Sequence, residues 1–146
     1  MSISPADAVR LLSDELIRKS PNGCCAFFVT LTPEWGIKCF RNEASRDKSW
    51  ENQRAASEFD LAPMVGDKFN FGKYYCMVCE VAQTLYPQQN VNDLQWSEYL
   101  EIQNMHRDEI GELRAELENK IGFSFYDDNI GNVGYLNGKM VCIDME

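Results

Sequence analysis

The sequence predicts an α+β fold, and three stretches of the 146-residue chain carry that prediction. Asn137-Gly138 lies between the apolar, β-prone residues 133–136 and 139–143, and it supplies the positive φ angles of a two-residue type I′ hairpin turn. Residues 24–31 form an almost unbroken apolar run, which is typical of a buried strand. Leucine and isoleucine recur every three or four residues over 110–121, which predicts an amphipathic helix.

The other elements follow from apolar spacing and from capping residues. Ser4-Pro5 starts a helix, because a capping hydroxyl precedes a proline in the first turn. Gly122 ends the helix of residues 110–121. In the remaining chain we expect the first helix to reach about Lys19, strands over 24–31 and 35–41, a polar helix within 42–60, a hairpin over 68–81, an irregular connector over 85–92 and a helix from Asp93.

The composition indicates a single globular domain, with 45% apolar and 25% charged residues. The net charge of −9 argues against nucleic acid or an anionic membrane as the main partner, and it suits a basic protein surface. No apolar run approaches the length of a bilayer span, and the N-terminus lacks a signal-peptide pattern. We therefore expect a cytoplasmic protein.

The six cysteines lie in apolar, strand-like runs. In a reducing compartment they are best interpreted as small buried hydrophobic residues. Cys76 and Cys79 have the spacing of a metal-binding pair, but residues three apart on a strand point to opposite faces. We therefore expect no zinc site at this pair.

Polar side chains gather at the open end of the C-terminal hairpin. Counting back from the turn, Asn132 lies across from Ile143, so Asp127 and Asn132 enter the hairpin where Asp144 leaves it. Carboxylate and amide oxygens are ligands that Mg²⁺ prefers. A strict ladder puts Asn132 and Asp144 on opposite faces, so a shared metal needs one of them outside the regular pairing. The residues before Asn132 also suit a polar turn whose side chains cap their own backbone.

The segment Phe125-Tyr126-Asp127-Asp128-Asn129-Ile130-Gly131-Asn132 resembles the catalytic loop H-R-D-L-x-x-x-N of protein kinases. Ile143-Asp144-Met145-Glu146 falls where kinases carry D-F-G. The resemblance implies that Asp127 orients a substrate hydroxyl and that Asn132 and Asp144 are metal ligands. The sequence departs from the pattern at Phe125 and Tyr126, which replace His and Arg, and after Asp144.

Trp35-Gly36-Ile37-Lys38 resembles the V-A-I-K of the third kinase strand, and the resemblance implies that Lys38 holds the α and β phosphates of a nucleotide. It also implies a glutamate on the following polar helix that positions Lys38. Glu51 is the preferred candidate, with Glu58 and Glu43 as alternatives. From the residues alone, Lys38 also suits an edge-strand lysine that discourages aggregation.

The same resemblance assigns further parts of the chain. It implies a phosphate loop around Gly23 and a nucleotide hinge at Glu80 and Ala82. Residues 1–82 would form the N-lobe, with an extra N-terminal helix, and residues 83–146 a reduced, truncated C-lobe. The sequence ends two residues after Asp144, so the chain is similar to the minimal kinases of bacterial effectors and phage-type proteins, and is shorter still.

Two functional hypotheses follow. The first is a kinase-like protein that binds ATP and Mg²⁺ between the two parts of the fold and transfers the γ-phosphate to a protein hydroxyl. The second is a pseudokinase-like module without catalysis that binds a partner protein through its acidic surface. A third possibility is a small α+β interaction protein unrelated to kinases, which would place Lys38 far from Asp144.

Overall fold

The computed structural model describes residues 2–20, 26–85 and 95–145. Within these ranges the helices are α1 (Pro5–Leu11), α2 (Asp14–Lys19), α3 (Glu43–Ser57), α4 (Trp96–Met105) and α5 (Arg107–Ile121). The strands are β1 (Ala26–Thr30), β2 (Trp35–Phe40), β3 (Val65–Phe71), β4 (Tyr74–Glu80), β5 (Gln83–Thr84), β6 (Val133–Leu136) and β7 (Lys139–Cys142). The predicted α+β class is confirmed.

The larger sheet is antiparallel, with its strands in the order β1-β2-β4-β3. Strand β2 lies inside the sheet, and all of its residues are buried. A strand that has neighbours on both sides and is covered on both faces usually has a continuous apolar sequence. In β2, only Lys38 interrupts the apolar and glycine residues. The lysine is therefore a buried residue of an interior strand and not an edge-strand residue.

Two helices replace the single N-terminal helix that the apolar stripe predicts. The chain is extended at Leu12 and Ser13, and the Ser13 side chain accepts a hydrogen bond from the Leu16 backbone N–H at 3.0 Å. Serine competes for backbone donors in this way and starts a new helix more readily than it continues one. The predicted start at Ser4-Pro5 is confirmed, because the Ser4 side chain caps Asp7.

The two faces of the larger sheet differ in chemistry. One face, here called the apolar face, packs against α1 and α2 and buries Ile37, Cys39 and Cys76, together with Phe27, Val29, Trp35, Tyr74 and Val78, against Ala8, Leu12 and Ile17. The opposite face, here called the polar face, carries Lys38, Phe40, Met77 and Cys79 beneath α3. The expectation that Cys76 and Cys79 point to opposite faces is confirmed.

The smaller sheet has the order β5-β6-β7 and contains the predicted hairpin. Asn137 and Gly138 have φ angles of 52° and 80°, as a type I′ turn requires. Leu136 pairs with Lys139, and the Ile143 N–H donates to Asn132 O at 3.0 Å, so the predicted register is confirmed. Helix α5 buries Ile110, Leu113 and Leu117 in the same apolar core as this sheet.

None of the helices in the described ranges combines the length with the apolar composition that crossing a bilayer requires.

Candidate functional site

The central feature of the polar face is the buried ammonium of Lys38, whose residue is only 7% exposed. Its Nζ donates to Gln53 Oε1 at 2.8 Å and to the backbone oxygen of Ile143 at 2.7 Å. The second bond joins residues that are 105 positions apart and ties the larger sheet to the segment after β7. The structure therefore brings Lys38 beside the residue that precedes Asp144.

Helix α3 contributes Gln53 to this cluster. Gln53 is fully buried, and its Nε2 donates to Pro63 O at 2.9 Å and lies 3.0 Å from Cys79 Sγ. Glu51 is exposed on the same helix, as are Glu43 and Glu58. The α3 side chain that contacts Lys38 is therefore Gln53 and not one of the three glutamates. The sequence does not mark this buried side of α3, because Arg46, Ser49 and Gln53 are polar residues.

Asn132 lies at the start of the C-terminal hairpin, after the short 3₁₀ turn Ile130–Asn132. Its Nδ2 donates to the backbone oxygen of Asp127 at 2.8 Å, which fixes the orientation of the amide. Its Oδ1 is an amide oxygen, which is a type of ligand that Mg²⁺ accepts. Asp127 itself is exposed, and its carboxylate accepts a hydrogen bond from Asn129 Nδ2 at 2.6 Å.

The loop before Asn132 is held by two residues that the sequence did not single out. Gln103 on α4 donates to Asp128 O at 3.1 Å and accepts from the Ile130 N–H at 2.9 Å. Arg114 on α5 pairs with the Asp128 carboxylate at 2.8 Å. Asp127 and Asp128 raise the pKa of the Tyr99 hydroxyl, although burial of the ring is the larger cause. The sequence alone does not show such contacts, because the residues involved are far apart in the chain.

Asp144 is half-buried at the end of the segment that Lys38 contacts. Nearby, burial raises the pKa of the Cys142 thiol to about 12, while a hydrogen bond with the Asp144 backbone and the Lys38 ammonium lower it in part. The next carbonyl, of Met145, accepts from Asn52 Nδ2 at 3.2 Å, so α3 contacts this segment directly. Lys38 and Asn52 therefore contact the residues on either side of Asp144.

The described residues contain no group of three or more His, Cys, Asp or Glu side chains placed to hold a metal ion. A Mg²⁺ ion in a nucleotide site usually takes only one or two protein oxygens, the rest being water and phosphate. Asn132 and Asp144 offer an amide oxygen and a carboxylate, which are oxygen donors of the chemical type that Mg²⁺ accepts. The two residues lie at one end of the same hairpin.

The predicted hinge residues lie at the end of β4. The Glu80 N–H donates to Met64 O at 2.9 Å, and the Val81 N–H donates to Glu34 O at 2.8 Å. These two donors are therefore occupied within the protein. Ala82 is half-buried and precedes β5. The predicted loop glycine, Gly23, lies outside the described residues.

The polar face also has a close contact between β1 and β2 at Gly36. A Cβ atom at this position would lie 2.6 Å from Val29 O and 2.9 Å from the Phe28 ring, so only glycine fits. The Phe28 ring thus rests against Gly36, on the face that carries Lys38. A larger residue at position 36 would push this aromatic ring towards the lysine or open the strand pair.

Comparison with known proteins adds no family to this description. A scan against protein-family models finds no match, and a search of curated proteins finds none.

Proposed function

We propose that this chain is a kinase-like protein that binds ATP and Mg²⁺ where β2, α3 and the segment after β7 meet. The observation that carries the proposal is the 2.7 Å hydrogen bond from Lys38 Nζ to Ile143 O. In protein kinases, a lysine on a strand of the first lobe and the metal-binding Asn and Asp of later segments act on the same nucleotide phosphates.

The charges of the cluster favour an anionic ligand. Gln53, the side-chain partner of Lys38, is neutral, so α3 does not cancel the charge of the ammonium. Lys38 Nζ carries three N–H donors, and two of them are used in the contacts above. The remaining donor, in a region of low dielectric, would bind a phosphate oxygen more strongly than it could in water.

Asn132 and Asp144 would hold the metal. When bound, Mg²⁺ would neutralise charge on the β and γ phosphates. Asn132 is prepared for this role, because its bond to Asp127 O holds the amide in one orientation. Asp127, which is exposed, would accept a hydrogen bond from the hydroxyl of a protein substrate and orient it. The remaining catalytic effect would be positioning and charge neutralisation.

A second candidate function is a pseudokinase-like module that binds a partner protein and transfers no phosphate. The observation in its favour is that the groups assigned to the nucleotide already have hydrogen-bond partners within the protein. Lys38 already has two partners, and the N–H groups of Glu80 and Val81 bond to Met64 and Glu34. An acidic chain with net charge −9 would favour a basic partner surface.

Calorimetric titration with ATP in the presence and absence of Mg²⁺ tests nucleotide binding. We expect Mg²⁺-dependent binding, and a ligand at about a hundred times its dissociation constant should raise the free energy of unfolding by about 2.7 kcal/mol. Asp144→Asn should weaken binding by at least about tenfold. Asp67→Asn is the matched control, because it removes the same charge from an exposed carboxylate of β3. Absence of binding at millimolar MgATP would reject the nucleotide proposal.

Transfer of labelled γ-phosphate to a mixture of basic proteins separates the two candidates. The kinase candidate predicts transfer by the wild-type chain, and Asp127→Asn should abolish transfer while leaving MgATP affinity within about twofold. Binding without transfer to any protein would support the pseudokinase candidate. The cytoplasm is our proposed compartment, since the four cysteines in the described ranges are free and buried.

A further inference from the structure

The apolar face contains a pair of thiols that the nucleotide proposal does not use. Cys39 of β2 and Cys76 of β4 are direct cross-strand partners. Both residues are 0% exposed, and both belong to the apolar core beneath α1 and α2. Side chains of directly opposed residues project from the same face of a sheet, so the two thiols are neighbours.

The hydrogen-bond pattern shows which type of pair this is. The Val81 N–H donates to Glu34 O, and these two residues continue the β2–β4 register by one position. Hydrogen-bonded pairs alternate along an antiparallel ladder, so the bonds to β4 come from the even-numbered residues of β2. Cys39 and Cys76 therefore form a non-hydrogen-bonded pair.

This pair type has the separation that a disulfide needs. Opposed residues in a non-hydrogen-bonded pair have Cα atoms about 4.5 Å apart. Disulfides span Cα separations of about 4.4–6.8 Å. A hydrogen bond with Cys76, followed by burial, raises the pKa of the Cys39 thiol, as expected for two thiols that are cross-strand neighbours. No strand movement is required to join them.

We propose that Cys39 and Cys76 form a cross-strand disulfide on reaction with a small oxidant of the disulfide class. One cysteine, as its thiolate, attacks a sulfur of the oxidant, forms a mixed disulfide and releases one thiol. The second cysteine then attacks the protein sulfur of that mixed disulfide and releases the second thiol. The protein loses two hydrogens, and the oxidant is reduced to two thiols.

Access to the pair is controlled by α1 and α2. Ala8, Leu12 and Ile17 cover the face that holds the thiols, and the two helices have only 7 and 6 residues. Short elements with few buried side chains open at low free energy. The oxidation rate therefore depends on how often this cover separates from the sheet.

The test incubates the native full-length chain with oxidised glutathione, followed by intact-mass measurement and peptide mapping. We expect a product that has lost two hydrogens and contains a Cys39–Cys76 link. Cys39→Ser and Cys76→Ser should each prevent this link, and Cys142→Ser, which removes a buried thiol from another core, should leave it unchanged. A link that maps to other cysteines, or no link after prolonged incubation, would overturn the proposal. The peptide map of the oxidised wild-type chain tests the proposal even if a serine variant fails to fold.

A second measurement tests the role of the cover. Ile17→Ala removes a fully buried side chain of α2 and should speed disulfide formation at least about tenfold. Ile110→Ala makes a comparable deletion in the core of α5 and the smaller sheet, so it controls for general loss of stability. Equal acceleration by both variants would show that oxidation follows global unfolding, which contradicts control by α1 and α2.

Discussion

The two faces of the four-stranded sheet are built on different physical principles. Beneath α1 and α2 the contacts are between apolar side chains such as Leu12, Ile17 and Ile37. Beneath α3 the helix presents Arg46 and Gln53 as buried polar residues. Apolar contacts are non-directional and depend on the area removed from water, whereas each buried polar group needs a partner of the right geometry.

Arg46 illustrates the polar face. Its guanidinium donates to Phe69 O at 3.1 Å, Asn70 Oδ1 at 3.3 Å and Cys76 O at 3.3 Å, and it pairs with Asp47. Such contacts fix the position of α3 but contribute little free energy each, because water would satisfy the same groups in the unfolded chain. We infer that buried apolar side chains supply most of the stability of the sheet and that the polar contacts fix the position of α3.

The largest expected effect is on the apolar face. Ile37→Ala deletes a fully buried side chain and should lower the free energy of unfolding by about 2–5 kcal/mol. Urea unfolding followed by circular dichroism measures the loss. Val9→Ala is the control, because Val9 is an exposed aliphatic residue of α1 and its truncation should have a much smaller effect. Similar losses for the two variants would contradict the role assigned to this face.

The next largest effect is on the polar face. Gln53→Leu leaves Pro63 O without its donor and removes one acceptor from Lys38, so the free energy of unfolding should fall by about 1–3 kcal/mol. The matched control is Glu51→Gln on the exposed side of α3, which should change it by less than about 0.5 kcal/mol. A larger loss for Glu51→Gln in urea unfolding would contradict the role assigned to Gln53.

A third prediction concerns alkaline pH. Burial raises the pKa of Cys142 from 9.0 to about 12, so below pH 9 the thiol is neutral in both the folded and the unfolded chain. Between pH 9 and pH 12 only the unfolded chain loses this proton, and stability should fall by about 1 kcal/mol per pH unit from this group. Cys142→Ala should remove that part of the slope. Parallel pH profiles of wild type and variant in urea unfolding would contradict the assignment.

The smallest effect concerns Ser49 of α3, which is 1% exposed. In the described part of the chain, its hydroxyl is the buried side-chain polar atom without a hydrogen-bond partner. Ser49→Ala removes an unsatisfied group and increases helix propensity, so it should stabilise the protein by up to about 1 kcal/mol. Ser45→Ala, on the exposed first turn, reports the propensity effect alone. Destabilisation by Ser49→Ala in thermal unfolding would show that the hydroxyl has a structural partner.

The parts of the fold that were predicted correctly depend on residues that are close together in the sequence. The Asn137-Gly138 turn determines its hairpin from two adjacent residues, and the apolar spacing of α5 lies within 15 residues. The N-terminal helix was predicted as one piece because the apolar stripe continues past Ser13. The Ser13 side chain accepts a hydrogen bond from the backbone and so starts a second helix. The spacing of apolar residues does not show this capping bond.

The site depends on contacts between distant parts of the chain. Lys38 and the hairpin residues Asn132 and Asp144 were selected from short motifs, and Lys38 does lie beside the segment that carries Asp144. Gln53 was missed, because a buried glutamine and a solvated one look the same in a sequence. Only the position of α3 against β2 shows that Gln53, and not a nearby glutamate, contacts the lysine.

The most direct test of the division between the faces is heteronuclear NMR of the backbone amides during titration with MgATP. We expect concentration-dependent shifts at Lys38, Gln53, Asn132 and Asp144, with little change at Ile17, Cys39 and Tyr74 on the other face. The same titration with ATP and no Mg²⁺ should produce smaller shifts at Asn132 and Asp144. Shifts confined to the apolar face, or no shifts at millimolar MgATP, would contradict a nucleotide site on the polar face.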